Sequence, residues 1–265
     1  MVYIPFKKQI YDLYTRRYLH AVLADKTKVP HHVGIILDGN RRYARRMKLT
    51  NVVEGHFKGS EKLEDVIDWV LELGIKVVTI WVFSTENIDR SVDEVNGLMN
   101  LFQHKFREMA NHKKIHKNHI RIKALGKLEM LTPEVRAAIR EAEEKTKDYK
   151  DMYLNVAIGY GGKQEIVDAF RSWTAKAVAA GQDLKSAIAN LKPQDLDPFC
   201  YDNGLGGPPD LIIRTSGRIR LSGFMLWHSP YSELYFTDVL WPAFRKLDFL
   251  RAIRAYQLRQ RTFGK

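Results

Sequence analysis

His32-Val33-Gly34-Ile35-Ile36-Leu37, broken at once by Asp38-Gly39-Asn40-Arg41-Arg42-Tyr43-Ala44, is the stretch that decides how this chain folds. A short apolar run rich in β-branched residues, entered after Pro30 and ending sharply in polar ones, predicts a buried strand feeding a loop. Similar runs at Val77–Phe83, Ile120–Leu125, Tyr153–Ile158 and Leu211–Arg214 predict further strands. Between them, apolar residues at helical spacing predict helices over about 57–73, 92–114, 132–147 and 162–180, with a last one over about 247–260. Strands alternating with helices predict an α/β fold: a single domain whose mostly parallel central sheet of about six strands is flanked by helices. Ligands of such sheets bind beyond the carboxyl ends of the strands. The polar clusters Asp38–Arg42, Ser84–Arg90, Gly159–Gly162 and Arg214–Ser222 each follow directly on a predicted strand, so one cleft could gather all four.

Composition narrows the classes of function. With 45% hydrophobic residues in 265, the chain can bury a substantial core as one globular unit. The single cysteine, Cys200, cannot form an internal disulfide and has no neighbouring Cys/His spacing of the zinc-binding kind. That points to a reducing compartment and against structural zinc. No apolar run approaches the roughly 20 residues of a membrane span and no secretory h-region opens the chain, so a soluble or peripheral protein is expected. The 43 Lys and Arg against 31 Asp and Glu give a formal charge of +12, which predicts attraction to polyanions. Neither a zinc-finger spacing nor an RNP-like aromatic motif supports nucleic acid as that polyanion, and arginines placed beside glycines and carboxylates suit diphosphates better. Residues 4–23 place Ile10, Leu13, Tyr14, Tyr18, Ala21 and Val22 among Lys7, Lys8, Arg16 and Arg17, a basic amphipathic helix that either packs on the domain or touches a membrane surface. Asn203–Pro209 reads as a surface loop.

In Asp38-Gly39-Asn40-Arg41-Arg42, glycine permits a tight turn, and successive N–H groups ahead of a helix can cradle phosphate oxygens. An aspartate there would repel an anion unless a cation intervened, which suggests Mg²⁺ bridging Asp38 to a diphosphate. The same residues also read as a strand-end turn with an Asx cap. His56 also reads as a capping or surface histidine, and Arg90 and Arg220 as solvated charges. Glu233, among Tyr231, Tyr235 and Phe236, needs a cation or an arginine partner if that stretch is buried.

His32 to Ala44 closely resembles the first signature of cis-prenyltransferases, the family that includes undecaprenyl and dehydrodolichyl diphosphate synthases. Four more blocks follow in the family's order: Gly55-His56 with Gly59; Phe83-Ser84-Thr85-Glu86-Asn87 leading to Arg90; Arg214-Thr215-Ser216-Gly217 leading to Arg220-Leu221-Ser222; and Tyr231-Ser232-Glu233-Leu234-Tyr235-Phe236. The resemblance implies a sheet enclosing a hydrophobic tunnel, with residues 1–29 as an N-terminal amphipathic helix and 30–265 as the catalytic domain. It implies Asp38 as a magnesium-binding carboxylate that helps the allylic diphosphate depart, and Gly39, Asn40, Arg41, Arg42, Tyr43 and His56 as its holders. Ser84, Thr85, Glu86 and Ile88 would line that first site, and Asn87 would assist proton removal. Arg90, Arg214, Arg220, Leu221 and Ser222 would bind isopentenyl diphosphate, and Glu233 would be a second magnesium-associated carboxylate.

The chain departs from the family at Arg218, where an acid is common, at Gly223, where Asn or Asp is common, and at Ile88, where an aromatic residue is common. It also lacks an arginine between Arg46 and His56, and its loop Met47–Glu54 is one residue longer than in bacterial enzymes. Its tail, Arg259 to Lys265, is similar to the Arg-x-Gly ending of some members, with Thr262 in the arginine's place. The implied function is condensation of isopentenyl diphosphate with an allylic diphosphate, such as farnesyl or geranylgeranyl diphosphate, to a medium or long Z-polyprenyl diphosphate for polyprenyl or dolichyl carriers. The enzyme would be a homodimer, or a heteromer with a related subunit, cytoplasmic or peripheral on the cytosolic face of a membrane. A short-chain synthase and a non-catalytic partner subunit are the rival readings; such partners usually lack the Asp38-Gly39-Asn40 loop that this chain keeps.

Overall fold

Alternation in the sequence becomes alternation in space. The computed structural model describes residues 7–201 and 206–259; residues 1–6, the first part of the Asn203–Pro209 loop and the tail motif around Thr262 lie outside them. In chain order the elements are α1 (Lys7–Leu23), β1 (His32–Ile36), α2 (Asn40–Arg46), α3 (Val52–Leu73), β2 (Val77–Ser84), α4 (Val92–Asn111), α5 (Lys113–Lys117), β3 (Ile120–Leu125), α6 (Pro133–Thr146), β4 (Met152–Tyr160), α7 (Gly162–Ala179), α8 (Leu184–Ala189), β5 (Leu211–Arg214), β6 (Glu233–Phe236) and α9 (Lys246–Gln257). Among the described residues the strands form one six-stranded sheet in the order β3-β4-β2-β1-β5-β6. The β1–β5, β3–β4 and β5–β6 pairs are parallel. All five predicted strands are present, and the sixth is β6, inside the Tyr231–Phe236 block.

Chain contacts divide the protein into two compact units. The first comprises Met1–Val78, Pro209–Arg220 and Tyr231–Lys265. Here β1 and β5 are buried at every position, and Trp69 of α3 meets Phe244 and Phe249 in a ring cluster. Asn51 caps α3 by accepting the Glu54 N–H at 3.0 Å, so this helix starts at Val52, five residues earlier than apolar spacing alone suggests. α1 packs on α9: Gln257 donates to the carbonyls of Val22 and Asp25, and the guanidiniums of Arg245 and Arg251 lie over the rings of Tyr11 and Tyr18. Ile10, Leu13 and Tyr14 of the same helix stay exposed.

The second unit comprises Thr79–Pro208 and Leu221–Pro230. β3 and β4 pair in register from Ile120–Met152 to Leu125–Ala157, and α4 packs on α6. Leu98, Leu101, Phe102 and Phe106 are buried on α4, whereas Met109 is only half-buried. The helix expected over about 92–114 is present but ends at Asn111. His112 is extended at φ −75°, ψ 123°, and its Nδ1 accepts the Lys114 N–H, so the chain breaks there and starts the short α5. No described helix is long and apolar enough to cross a membrane.

Candidate active site

In the first unit, Asp38 sits in the turn that leaves β1. Its carbonyl is pinned by the Thr215 hydroxyl at 2.6 Å and by the Trp241 N–H at 3.1 Å. Gly39 follows at φ 121°, and a Cβ there would stand 3.0 Å from Leu240, so only glycine fits the turn comfortably. Parallel pairing sets Arg214 of β5 level with Ile36 of β1. Its guanidinium therefore meets the carboxylate two residues on: Nη2 donates to Asp38 Oδ2 at 3.0 Å. From the first turn of α2, Arg42 places Nη2 3.6 Å from Asp38 Oδ1 and donates Nη1 to the Ser216 carbonyl at 2.9 Å. Arg214 also donates to the carbonyl of Arg220, whose own side chain is exposed.

Burial works to raise the Asp38 carboxyl. The hydrogen bond from Arg214, with the charges of Arg214 and Arg42, outweighs it and holds the group below its ordinary value of 3.8. Asn40 Nδ2 lies 3.3 Å from His56 Nδ1, while Asn40 Oδ1 is buried without a hydrogen-bond partner. His56 thus stands in the second turn of α3 facing Asn40 and not at a helix cap. The two helices come together through glycine: a Cβ at Gly55 would lie 2.4 Å from the Asn40 carbonyl, and one at Gly59 2.4 Å from Asn40 Oδ1. Arg41 is exposed and Tyr43 half-buried.

Glu233 opens β6 in register with Leu211, at the amino end of the strand that carries Arg214 at its carboxyl end. Three residues of strand separate those levels, about 10 Å, so within this chain Glu233 is not brought beside Asp38. The partner expected for it is present: Arg259 pairs with its carboxylate and donates to the Leu234 carbonyl at 3.1 Å.

The second unit carries the other expected residues. Ser84 ends β2, and its N–H donates to Asn87 Oδ1 at 3.1 Å, a capping box that closes a 3₁₀ turn over Thr85–Asp89. Thr85 is half-buried; Glu86 and Ile88 are exposed. Arg90 is no solvated charge, because its Nη1 lies 2.9 Å from Oε1 of Glu94, a carboxylate with only 3% of its side chain exposed. Leu221 is half-buried, and Ser222 is exposed at φ 54°.

Sequence reasoning missed four positioning residues. Thr215 and Ser216 stood inside a quoted block without a task. Glu94 was readable only as one more carboxylate in the first turn of a helix. Trp241, fully buried, donates from its side chain to the Gly59 carbonyl at 2.7 Å while its backbone holds Asp38. Nothing in the local sequence marks it.

An ionised carboxylate between two arginines, behind a glycine turn at the carboxyl ends of adjacent parallel strands, defines an α/β protein that handles phosphorylated substrates. A prenyltransferase family model, that of undecaprenyl diphosphate synthase, matches residues 36–264. An isoprenyl transferase of Thermus thermophilus is 48% identical over 262 residues, covering 99% of this chain and 98% of its own. A geranylgeranyl-diphosphate-specific tritrans,polycis-undecaprenyl-diphosphate synthase of Methanopyrus kandleri is 47% identical, covering 97% and 92%. The crystal structure of lavandulyl diphosphate synthase from Lavandula x intermedia, in complex with dimethylallyl diphosphate, superposes with a TM-score of 0.81 at 33% identity, covering 90% of this chain and all of that one. The chain belongs to the undecaprenyl diphosphate synthase family of cis-prenyltransferases. Its reaction joins isopentenyl diphosphate to an allylic diphosphate to give a Z-polyprenyl diphosphate.

Proposed function

We propose that residues 30–265 are the catalytic domain of a magnesium-dependent synthase that extends geranylgeranyl diphosphate to a medium or long Z-polyprenyl diphosphate. The observation that carries the reading is the Asp38–Arg42–Arg214 cluster at the ends of β1 and β5. The primer and product length rest on the 47% identity to the Methanopyrus synthase, whose name states both. The intact Asp38-Gly39-Asn40 loop favours a catalytic chain over a scaffold subunit.

The donor chemistry fits magnesium. Asp38 is held ionised, a hard oxygen ligand of the kind this ion takes. Bound there, Mg²⁺ would neutralise charge on a diphosphate. Arg42 and His56 would meet the charge that grows on the leaving diphosphate as the allylic carbon–oxygen bond ionises, an interaction stronger in the transition state than before it. The diphosphate of the second substrate does not react and needs only to be held. Arg214 and Arg220, with Ser222 and Arg90 on family grounds, would do this and so aim the nucleophilic alkene. On the same grounds Asn87 would assist removal of the proton.

Purified protein incubated with Mg²⁺, labelled isopentenyl diphosphate and geranyl, farnesyl or geranylgeranyl diphosphate tests the reading. Chromatography of the dephosphorylated products should show a ladder well beyond the primer, longest from geranylgeranyl diphosphate. Products that stop at fifteen or twenty carbons with isopentenyl diphosphate in excess would make this a short-chain synthase.

A further inference from the structure

Three segments of the second unit, distant in sequence, bring together a carboxylate, a thiol and an imidazole. Glu165 lies in the first turn of α7, Cys200 ends a 3₁₀ turn over Asp197–Phe199, and His228 belongs to the Leu221–Pro230 segment. One ligand atom from each lies within 4.8 Å of the other two. Glu165 and Cys200 are each 1% exposed, and the His228 side chain 12%. We propose that these three side chains bind one zinc-class divalent ion, which staples the Leu221–Pro230 segment to α7.

Charge is the first argument. A buried carboxylate is costly unless a cation balances it. The hydrogen bonds to Glu165 come from neutral donors: the Tyr160 hydroxyl to Oε2 at 2.5 Å and the Tyr201 N–H to Oε1 at 3.2 Å. Its ion-pair contact is His228 Nε2, 3.6 Å from Oε1, too far for a hydrogen bond. A divalent ion with Glu165 ionised, Cys200 as thiolate and His228 neutral makes a site of zero net charge.

Geometry is the second. Bonds of about 2.0–2.3 Å in a tetrahedral zinc site put ligand atoms roughly 3.3–3.8 Å apart. The 3.6 Å between the Glu165 oxygen and the His228 nitrogen already matches such an edge. Cys200, at the end of a short turn, needs to close by no more than about 1.5 Å to reach the same spacing. Binding would remove the thiol proton, which now points to the Leu196 carbonyl at 3.7 Å. Three protein ligands leave a fourth position for water.

The supporting shell is also in place. Tyr160 and Tyr201 orient both carboxylate oxygens, as partners behind metal ligands do. Thiolate and imidazole select zinc or cobalt over magnesium, which separates this ion from the one proposed at Asp38. Linear spacing hides the site, because its ligands stand at positions 165, 200 and 228.

Chelator-stripped protein, kept reduced, is titrated with Co²⁺ and then Zn²⁺. Cys200 is the only cysteine in the chain, so a thiolate-to-cobalt charge-transfer band can arise from no other residue. The expected result is one equivalent of Co²⁺ bound with that band and with tetrahedral visible absorption, both bleached by Zn²⁺ and unaffected by excess Mg²⁺. The melting temperature should rise with Zn²⁺. His228→Gln should bind Zn²⁺ more weakly by more than the roughly 10–100-fold that losing an outer partner costs, with an unchanged melting temperature in its metal-free form. Cobalt bound without a thiolate band, no cobalt bound, or equal affinity in His228→Gln would overturn the proposal. The wild-type spectrum alone decides it if a variant fails to fold.

Discussion

Asp38 keeps its charge because two guanidiniums outweigh the desolvation that opposes it. Replacing it with Ala removes the proposed metal ligand but little of the core, so the fold should persist while turnover falls by on the order of 10²–10³, the usual cost of one lost transition-state electrostatic contact. Near-normal turnover would take Asp38 out of the mechanism. The same residue sets an acid limb of stability. Its carboxyl is depressed in the folded state, so its contribution is complete above its unfolded value near 3.8 and is lost as pH falls through the folded value. Urea unfolding from about pH 5 to about pH 2 should show the stability gap between wild type and Asp38→Asn closing with acid; a gap independent of pH would contradict this. Arg214 is 6% exposed and serves both Asp38 and the Arg220 carbonyl. Its removal should cost about 1–3 kcal/mol, less than a fully buried pair would because Asp38 keeps 29% of its side chain exposed. Arg220→Ala, whose exposed side chain stabilises little, should instead raise KM for isopentenyl diphosphate more than for the primer. Equal rises would mean the two diphosphate sites are wrongly assigned. These residues were visible as sequence blocks, but the pairing of Arg214 with Asp38 was not, since it depends on the strand register.

Between α2 and α3, close approach decides what the individual residues can do. Gly55 and Gly59 were visible as a motif, yet their reason appears only in three dimensions: they let α3 lie against the Asn40 backbone and side chain, with Trp241 closing the far side. An added methyl at Gly59 would sit 2.4 Å from Asn40 Oδ1 and 2.9 Å from the Trp241 ring. Gly59→Ala should therefore cost about 1–3 kcal/mol by overpacking and, by displacing Asn40 from His56, raise KM for the allylic substrate. Gly74→Ala is the control. It caps α3 at φ 73° with nothing within 4 Å, so it should lose about 1 kcal/mol of stability through backbone strain alone and leave both KM values unchanged. An unaltered allylic KM in Gly59→Ala would show that the close approach is structural only. The break at His112 is a different lesson: apolar periodicity runs on past Asn111, while a local side-chain cap stops the helix.

Across the whole molecule, five of six strands were readable from their apolar residues: β1 and β5 are buried at every position, while β3 alternates buried apolar residues with half-buried Arg121 and Lys123. β6 was not, since its four positions are all half-buried and it begins with Glu233. The division into two units left no trace in the sequence either. The chain crosses between them four times, once inside β2 after its second residue, Val78, so no linker composition could mark a boundary. Net charge, by contrast, is a whole-chain property that sequence states outright. At +12, with Arg41 exposed next to Arg42 in the chain, the protein should attract its anionic substrates over a distance set by the Debye length, about 10 Å at 0.1 M salt and 3 Å at 1 M. Raising sodium chloride from about 0.05 M to about 0.5 M at fixed free Mg²⁺ should lower kcat/KM for isopentenyl diphosphate by roughly tenfold, the low end of electrostatic steering. Saturated kcat should change far less, because short ion pairs in a bound complex are screened less than charges approaching through solvent. If kcat fell in proportion, salt would be acting on the chemical step or on the fold. A kcat/KM indifferent to salt would mean that the positive charge serves some partner other than the substrate.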